Sequence, residues 1–281
     1  MRPLAFDEFV RHAGSGPEAH DELDLEVGAF LIARDAHPEL DVERQLARLD
    51  ALAADLDGES LRAHPPEDAA RALAAHVYDR HGFRGNEDAY GDPRNSYLDE
   101  VLDRKLGIPI SLAVVLLSVA RRVGVTAHGI SFPGHFLVRF ERPGRGPLVV
   151  DPFYGGRPLS HSDLERLLRR TSGASAKLQV EHLRPAPSRS ILVRILQNLK
   201  AAHLARGDLA RALVAAARIV ALLPRDPWAL RDRGILQAQL GAPQGARGDL
   251  LRYLEMSPDA SDAKMIEQVL SKLEARTSPA N

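Results

Sequence analysis

The chain has 281 residues, a formal net charge of −1 from 37 basic and 38 acidic side chains, and 44% hydrophobic residues. This balance is that of a globular chain long enough for two domains, and it supplies no global positive field for nucleic acid or anionic lipid. The absence of cysteine and the 5% aromatic content exclude disulfides, zinc–thiolate and iron–sulfur centres and every thiol nucleophile, and leave few platforms for base stacking.

The opening stretch, MRPLAFDEFVRHAG, lacks the apolar core of a signal peptide. The longest apolar run, Ile108 to Ala120, is too short to span a bilayer. A cytoplasmic protein without membrane contact is expected. Helical spacing of apolar residues then predicts helices over Asp24–Ala36 and Asp41–Leu56, the second with Val42, Leu46, Leu49, Leu52 and Leu56 on one side and Asp41 as N-cap. Pro66–Gly82 opens with proline and acids and closes on glycine, a third helix. After a loop rich in turn residues, Asn95 or Ser96 is expected to cap a helix running to Leu106, and the apolar segment starting near Pro109 predicts a buried helix.

Strand-like runs follow at Val125–Phe132, His135–Glu141 and Pro147–Phe153, joined by Pro133-Gly134 and by the turn RPGRGP. One helix with antiparallel strands makes this middle part α+β. YGGR at Tyr154–Arg157 reads as a glycine turn after a strand, without the lysine of a phosphate loop. RPAPSR, residues 184–189, has the composition of a linker. Beyond it the chain repeats. NLKAAHLARGDLARALVAAARIVALLP and DRGILQAQLGAPQGARGDLLRYLEMSP align at an offset of 34, which superposes Gly207 on Gly241, Ala212 on Ala246 and Pro224 on Pro258. That period, with small residues where helices cross and a closing proline, is the signature of the tetratricopeptide repeat. A last helix over roughly 261–276 closes the array.

Three elements arrive in order: a buried helix after GIP, a histidine in PGHFLVRF and an aspartate in VVDPF. This order resembles the transglutaminase-like superfamily, in which cysteine, histidine and aspartate form a papain-type triad. The run RNSYLDEVLDRKLGIPISLAVVLLSVARRVG, with PGHFLVR, DPF and the repeats behind it, is similar to the bacterial SirB family. In the superfamily's G-x-C-x-x-x-A register Gly107, Ala113, Arg121 and Gly124 fit together, which puts Pro109 where the cysteine belongs. Ser111 stands two residues on, about 200° around a helix, and so faces nearly away from Pro109. A helix N-terminus stabilises a thiolate but does not bring a serine hydroxyl near ionisation.

The resemblance therefore implies a degenerate member: a helical N-terminal segment (1–94), a papain/transglutaminase-like α+β core (95–183) and all-α tetratricopeptide repeats with a capping helix (190–281). The expected function is non-catalytic binding, scaffolding or regulation, the role of a pseudoenzyme. The competing expectation is a serine-dependent amidase, peptidase or acyltransferase using Ser111, His135 and Asp151 as a remnant triad. A protein or peptide partner is expected on the first helix of each repeat, at Arg194, Gln197, Asn198, Trp228, Arg231 and Asp232, where arginines and amides beside a tryptophan suit an acidic segment. No cofactor and no metal are expected. Asp99 and Asp103 read as a solvated acidic face, and the pairs His76/His81 and His12/His20 have no ligand spacing. Nucleic acid is not expected as a partner, and the oligomeric state is left open.

Overall fold

The computed structural model describes residues 8, 9, 11 and 23–277; His12 and His20 lie outside the described residues. Two compact units make up the chain, one spanning Asp21–Ile195 and the other built on Leu196–Asn281. Among the described residues no helix is long and apolar enough to cross a membrane.

The first unit begins with two helices whose starts are set by aspartates. Asp24 accepts from the Glu26 and Val27 amides at 2.9 and 3.1 Å and opens α1 (Leu25–Ala33). Asp41 accepts from Arg44 N at 3.1 Å and opens α2 (Val42–Ala53). Each bond satisfies an amide that the first helical turn leaves orphaned. A short α3 (Gly58–Ala63), capped by Asp57, was not expected from the sequence. α4 (Pro66–Ala74) carries proline in its first turn, widens into a π-helical turn over Ala75–Arg80, and the chain leaves it through Gly82 at φ 72°.

A two-residue strand β1 (Arg84–Gly85) pairs in parallel with β2 (Leu106–Gly107). Between them α5 (Leu98–Arg104) starts at Tyr97 with no side-chain cap. The capping role expected of Asn95 or Ser96 is therefore corrected. Asn95 is fully buried and takes a hydrogen bond from the Asn86 amide at 2.9 Å while donating to Ala89 O at 2.7 Å, which fixes the loop rather than the helix.

α6 (Pro109–Arg122) is the centre of this unit, with eleven of its residues buried on all sides of the helix. Each fully buried Leu or Val there contributes about 1.5–3 kcal/mol relative to exposure. Against it pack β3 (Ala127–Ile130) and β4 (Leu137–Phe140). β5 (Leu148–Asp151) and β6 (Arg157–Leu159) complete an antiparallel sheet of order β3-β4-β5-β6, in register Ala127↔Phe140, Val138↔Val150 and Asp151↔Arg157. The sheet also buries Ile130, Leu137 and Val149 against Leu164, Leu167 and Leu168 of α7 (His161–Ser172). The α+β class holds, with β6 and α7 added to the expected elements.

The second unit holds the repeats. α8 (Ser188–Ala205), which belongs to this unit from Leu196 on, leads through Gly207 into α9 (Leu209–Leu222), and α10 (Pro227–Gln239) leads through Gly241 into α11 (Pro243–Met256). Both ends of α9 and α11 are offset by the 34-residue period. The two glycines take the same left-handed conformation, φ 73° and 75°, which a side chain with a Cβ resists. Ala212 and Ala246 are fully buried, and a Cβ on Gly234 would stand 2.8 Å from Leu250, so small residues sit where helices cross. α12 (Ala263–Thr277) covers the last pair through Ile266 and Leu270, packed with Leu250 and Tyr253. The described N-terminal residue Phe9 lies in this unit, with the Arg218 guanidinium 4.5 Å above its ring.

Candidate functional site

Ser111 stands in the first turn of α6, 1% exposed. Its Oγ accepts from Ile108 N at 3.1 Å and donates to Asn95 O at 2.6 Å. The second bond spans sixteen residues of sequence, so the hydroxyl ties the helix start to the loop before α5. A Cβ on Gly107 would lie 2.7 Å from this oxygen, and only glycine leaves room for it. Pro109 is buried in the same turn, where its missing N–H is not needed.

His135 and Asp151 do meet. His135 sits in the turn that precedes β4, and Asp151 is the last residue of β5. His135 Nε2 lies 2.9 Å from each carboxylate oxygen. Asp151, 4% exposed, also accepts the Phe153 amide at 3.0 Å, so its charge is held by two donors. With Nε2 engaged, any base function of the ring falls to Nδ1. Among the described residues, however, Ser111 and His135 form no hydrogen bond with each other. The structure assembles two members of the expected triad and gives the third other partners.

Sequence reasoning missed the residues around this pair. Tyr78, on the π-helical turn, is buried, and its hydroxyl has no hydrogen-bond partner among the described residues. Burial, with the Asp151 charge adding to it, pushes the phenol well above its ordinary 10, so it stays protonated. Gly156, at φ 70°, lies against it: a Cβ there would stand 2.8 Å from the Tyr78 ring. Tyr90 is half exposed, its ring 5.8 Å from that of Phe153; burial raises its pKa, Arg194 opposes, and the Asp151 field adds to the rise. No periodicity in the sequence marks these positions. Their one signal is a run of aromatics and glycines in the turn-rich loops.

Arg194 was expected on the partner face of the first repeat. It belongs to the first unit, where it donates to Phe132 O at 3.1 Å and lies 5.6 Å from the Phe136 ring. The His135 amide bonds the same carbonyl at 3.0 Å, so Arg194 braces the histidine's turn. Partial burial lowers its pKa and Tyr90 opposes that. Of the other expected partner residues, Gln197 is exposed and Asn198 half-buried. Trp228 is 48% exposed, with Arg231 4.8 Å over its ring. Arg231 donates to Asp232 at 2.7 Å and to Asp262 at 2.9 Å, Lys200 pairs with Asp232, and the Tyr253 hydroxyl bonds Asp262. The cations of this face are therefore already matched by carboxylates within the unit.

The two acidic residues expected to be solvated differ. Asp103 is exposed and pairs with Arg48 at 2.6 Å. Asp99 is 6% exposed and lies 2.5 Å from His37 Nδ1, and burial raises its pKa. The solvated reading is corrected for Asp99: α5 turns that side of its first turn towards α1 and the following His37. His76 is buried with Nε2 2.7 Å from Leu52 O, and its ring centroid lies 4.6 Å from that of His81. Among the described residues no group of three or more His, Asp or Glu side chains is arranged to hold a metal ion.

A family model described as the transglutaminase-like superfamily matches residues 43–197, and a tetratricopeptide repeat model matches residues 199–271. The chain is 43% identical over 251 residues to a UPF0162 protein of Xylella fastidiosa, covering 88% of each. It is 32% identical to a UPF0162 protein of Vibrio cholerae, covering 91% of this chain and 94% of the relative. Protein SirB1 of Salmonella typhimurium is 27% identical, with 72% of this chain and 74% of that one covered.

Proposed function

The chain belongs to the SirB/UPF0162 family of transglutaminase-like proteins that end in tetratricopeptide repeats, and from that premise we propose that it is a non-catalytic binding protein of the cytoplasm. Ser111 carries the proposal. Its hydroxyl accepts from Ile108 N and donates to Asn95 O, so attack on a substrate would first break both bonds and leave two buried backbone groups unpaired, at about 1–3 kcal/mol each. It would also need a base, and the expected ring, His135, is held by Asp151 and makes no hydrogen bond to the serine. Pro109 in the nucleophile's register removes the thiol alternative.

In this reading His135 and Asp151 hold a crevice in shape for recognition, and the repeats take up a protein or peptide partner. Tetratricopeptide repeats generally mediate protein–protein contact, which supports the second half of the proposal. The internal matching of Arg231 by Asp232 and Asp262 favours a partner that offers apolar surface to Trp228 rather than an acidic segment. The test is turnover: a panel of activated esters and acyl amides is expected to be hydrolysed equally fast with wild type and with Ser111→Ala. A rate that depends on Ser111 contradicts the proposal.

A further inference from the structure

A cleft of about 440 Å³ opens beside the end of β5, within the range of small-molecule sites. It is lined by Asp151, Tyr154, Arg157, Asp163, Arg166 and Arg170, over the apolar side chains of Leu159 and Leu167. Three guanidiniums thus face two carboxylates, and both carboxylates are already engaged. Asp151 is held by His135 and the Phe153 amide. Asp163 accepts from Ser160 N at 3.0 Å, from Ser160 Oγ at 2.7 Å and from Arg166 at 3.1 Å. Among the described residues neither Arg157 nor Arg170 makes an ion pair within 4 Å, and Arg157 reaches Asp163 only through its field, although both arginines line the same cleft. Two cations lining one concave site leave a net positive field there that an anion would neutralise.

Planar guanidiniums match the oxygens of a phosphate two at a time. A phosphate monoester brings about −1.5 to −2 charge and three acceptor oxygens, enough to engage Arg157 and Arg170 together. Tyr154, 51% exposed, lines the same cleft with its ring braced edge-on by Phe153 at 5.2 Å. We propose that this cleft binds a small phosphorylated molecule, with its phosphate on Arg157 and Arg170 and its body against Tyr154. A reactive and an unreactive Ser111 are equally compatible with such a site, so the proposal stands apart from the one above.

The experiment is calorimetric titration of the full chain with phenyl phosphate, with benzoate as a carboxylate of similar shape. Saturable binding of phenyl phosphate is expected, weakened about tenfold or more in Arg157→Ala/Arg170→Ala, with benzoate binding more weakly. Arg169→Ala, whose guanidinium pairs with Glu165 on α7 and does not line the cleft, is expected to bind as wild type. Thermal melts of each variant check the fold. Should the double variant melt early, Arg170→Ala alone, an exposed change near the end of α7, gives the same readout. No saturable binding of phenyl phosphate, binding unchanged by loss of the arginines, or benzoate binding as tightly overturns the proposal.

Discussion

His135 Nε2 lies 2.9 Å from both carboxylate oxygens of Asp151, and the same carboxylate takes the Phe153 amide at 3.0 Å. One buried charge therefore joins the turn before β4 to the end of β5. His135→Ala strips the carboxylate of a donor, and Asp151→Asn removes the charge that holds the ring. Each is expected to cost about 1–3 kcal/mol, because a buried polar partner is left unpaired. Urea denaturation of the variants measures it, and midpoints equal to wild type would show that the pair holds nothing together.

Ser111→Ala is expected to cost about 1–3 kcal/mol as well. A capping serine at a helix end is worth about 1 kcal/mol. Here the hydroxyl also serves Asn95 O across sixteen residues, so its loss orphans a carbonyl and an amide in a site 1% exposed. Ser111→Gly would add backbone freedom to the same loss and is expected to fall further. Equal stability of wild type and Ser111→Ala in the same denaturation series would contradict this view of the hydroxyl.

Arg231→Glu removes bonds to Asp232 and Asp262 and places a third carboxylate beside them. Burial opposes the charge of Arg231, but those two partners outweigh it and raise its pKa, so the network is favourable in the folded repeat. A loss of about 1–2 kcal/mol is expected, the sum of partly exposed pairs and new like-charge repulsion. Thermal melting followed by circular dichroism checks it, and Arg231→Lys should recover part of the loss through the remaining single charge.

His203 is buried at the end of α8, where burial lowers its pKa below the ordinary 6.5 while Asp208, 3.6 Å away, opposes. The fold therefore prefers the neutral ring, and the unfolded chain binds the proton more readily. Stability is complete above about pH 6.5 and declines as pH falls below it towards the lowered folded-state value. His81, shifted the same way by burial and by His76, adds to the decline in the first unit. His203→Gln is expected to flatten, without abolishing, the fall in melting temperature between about pH 7 and pH 5. An unchanged slope would mean that the ring stays neutral in neither state preferentially.

The parts of this fold that rest on local chemistry could be read from the chain itself. Asp24 and Asp41 announce α1 and α2 because a cap is a contact between near neighbours, and Gly207 and Gly241 announce the repeat because both turns need a left-handed residue. α7 carries a readable sign too: Ser160 and Asp163 form a capping box ahead of Leu164, Leu167 and Leu168. The site was legible only by halves. The order of helix, histidine and aspartate located His135 and Asp151, but the partner of Ser111 is a backbone carbonyl sixteen residues back, which no side-chain pattern encodes. The repeat register puts Arg194 on the first helix of a repeat, and the fold adds a bond that no repeat pattern encodes, to the Phe132 carbonyl that also takes the His135 amide. Asp99 was read as solvated for the same reason: its exposure is decided by His37, far off in sequence.

The central claim is that Ser111 is a structural hydroxyl and not a nucleophile, and covalent labelling tests it most directly. Wild type, Ser111→Ala and His135→Ala are incubated with a fluorophosphonate probe, and the peptide spanning Pro109–Arg121 is analysed by mass spectrometry. No adduct on Ser111 is expected in wild type, because its three hydrogen bonds all run to backbone groups and no base bonds it. An adduct on Ser111 that forms in wild type and disappears in His135→Ala would contradict the account and establish a working serine–histidine–aspartate triad.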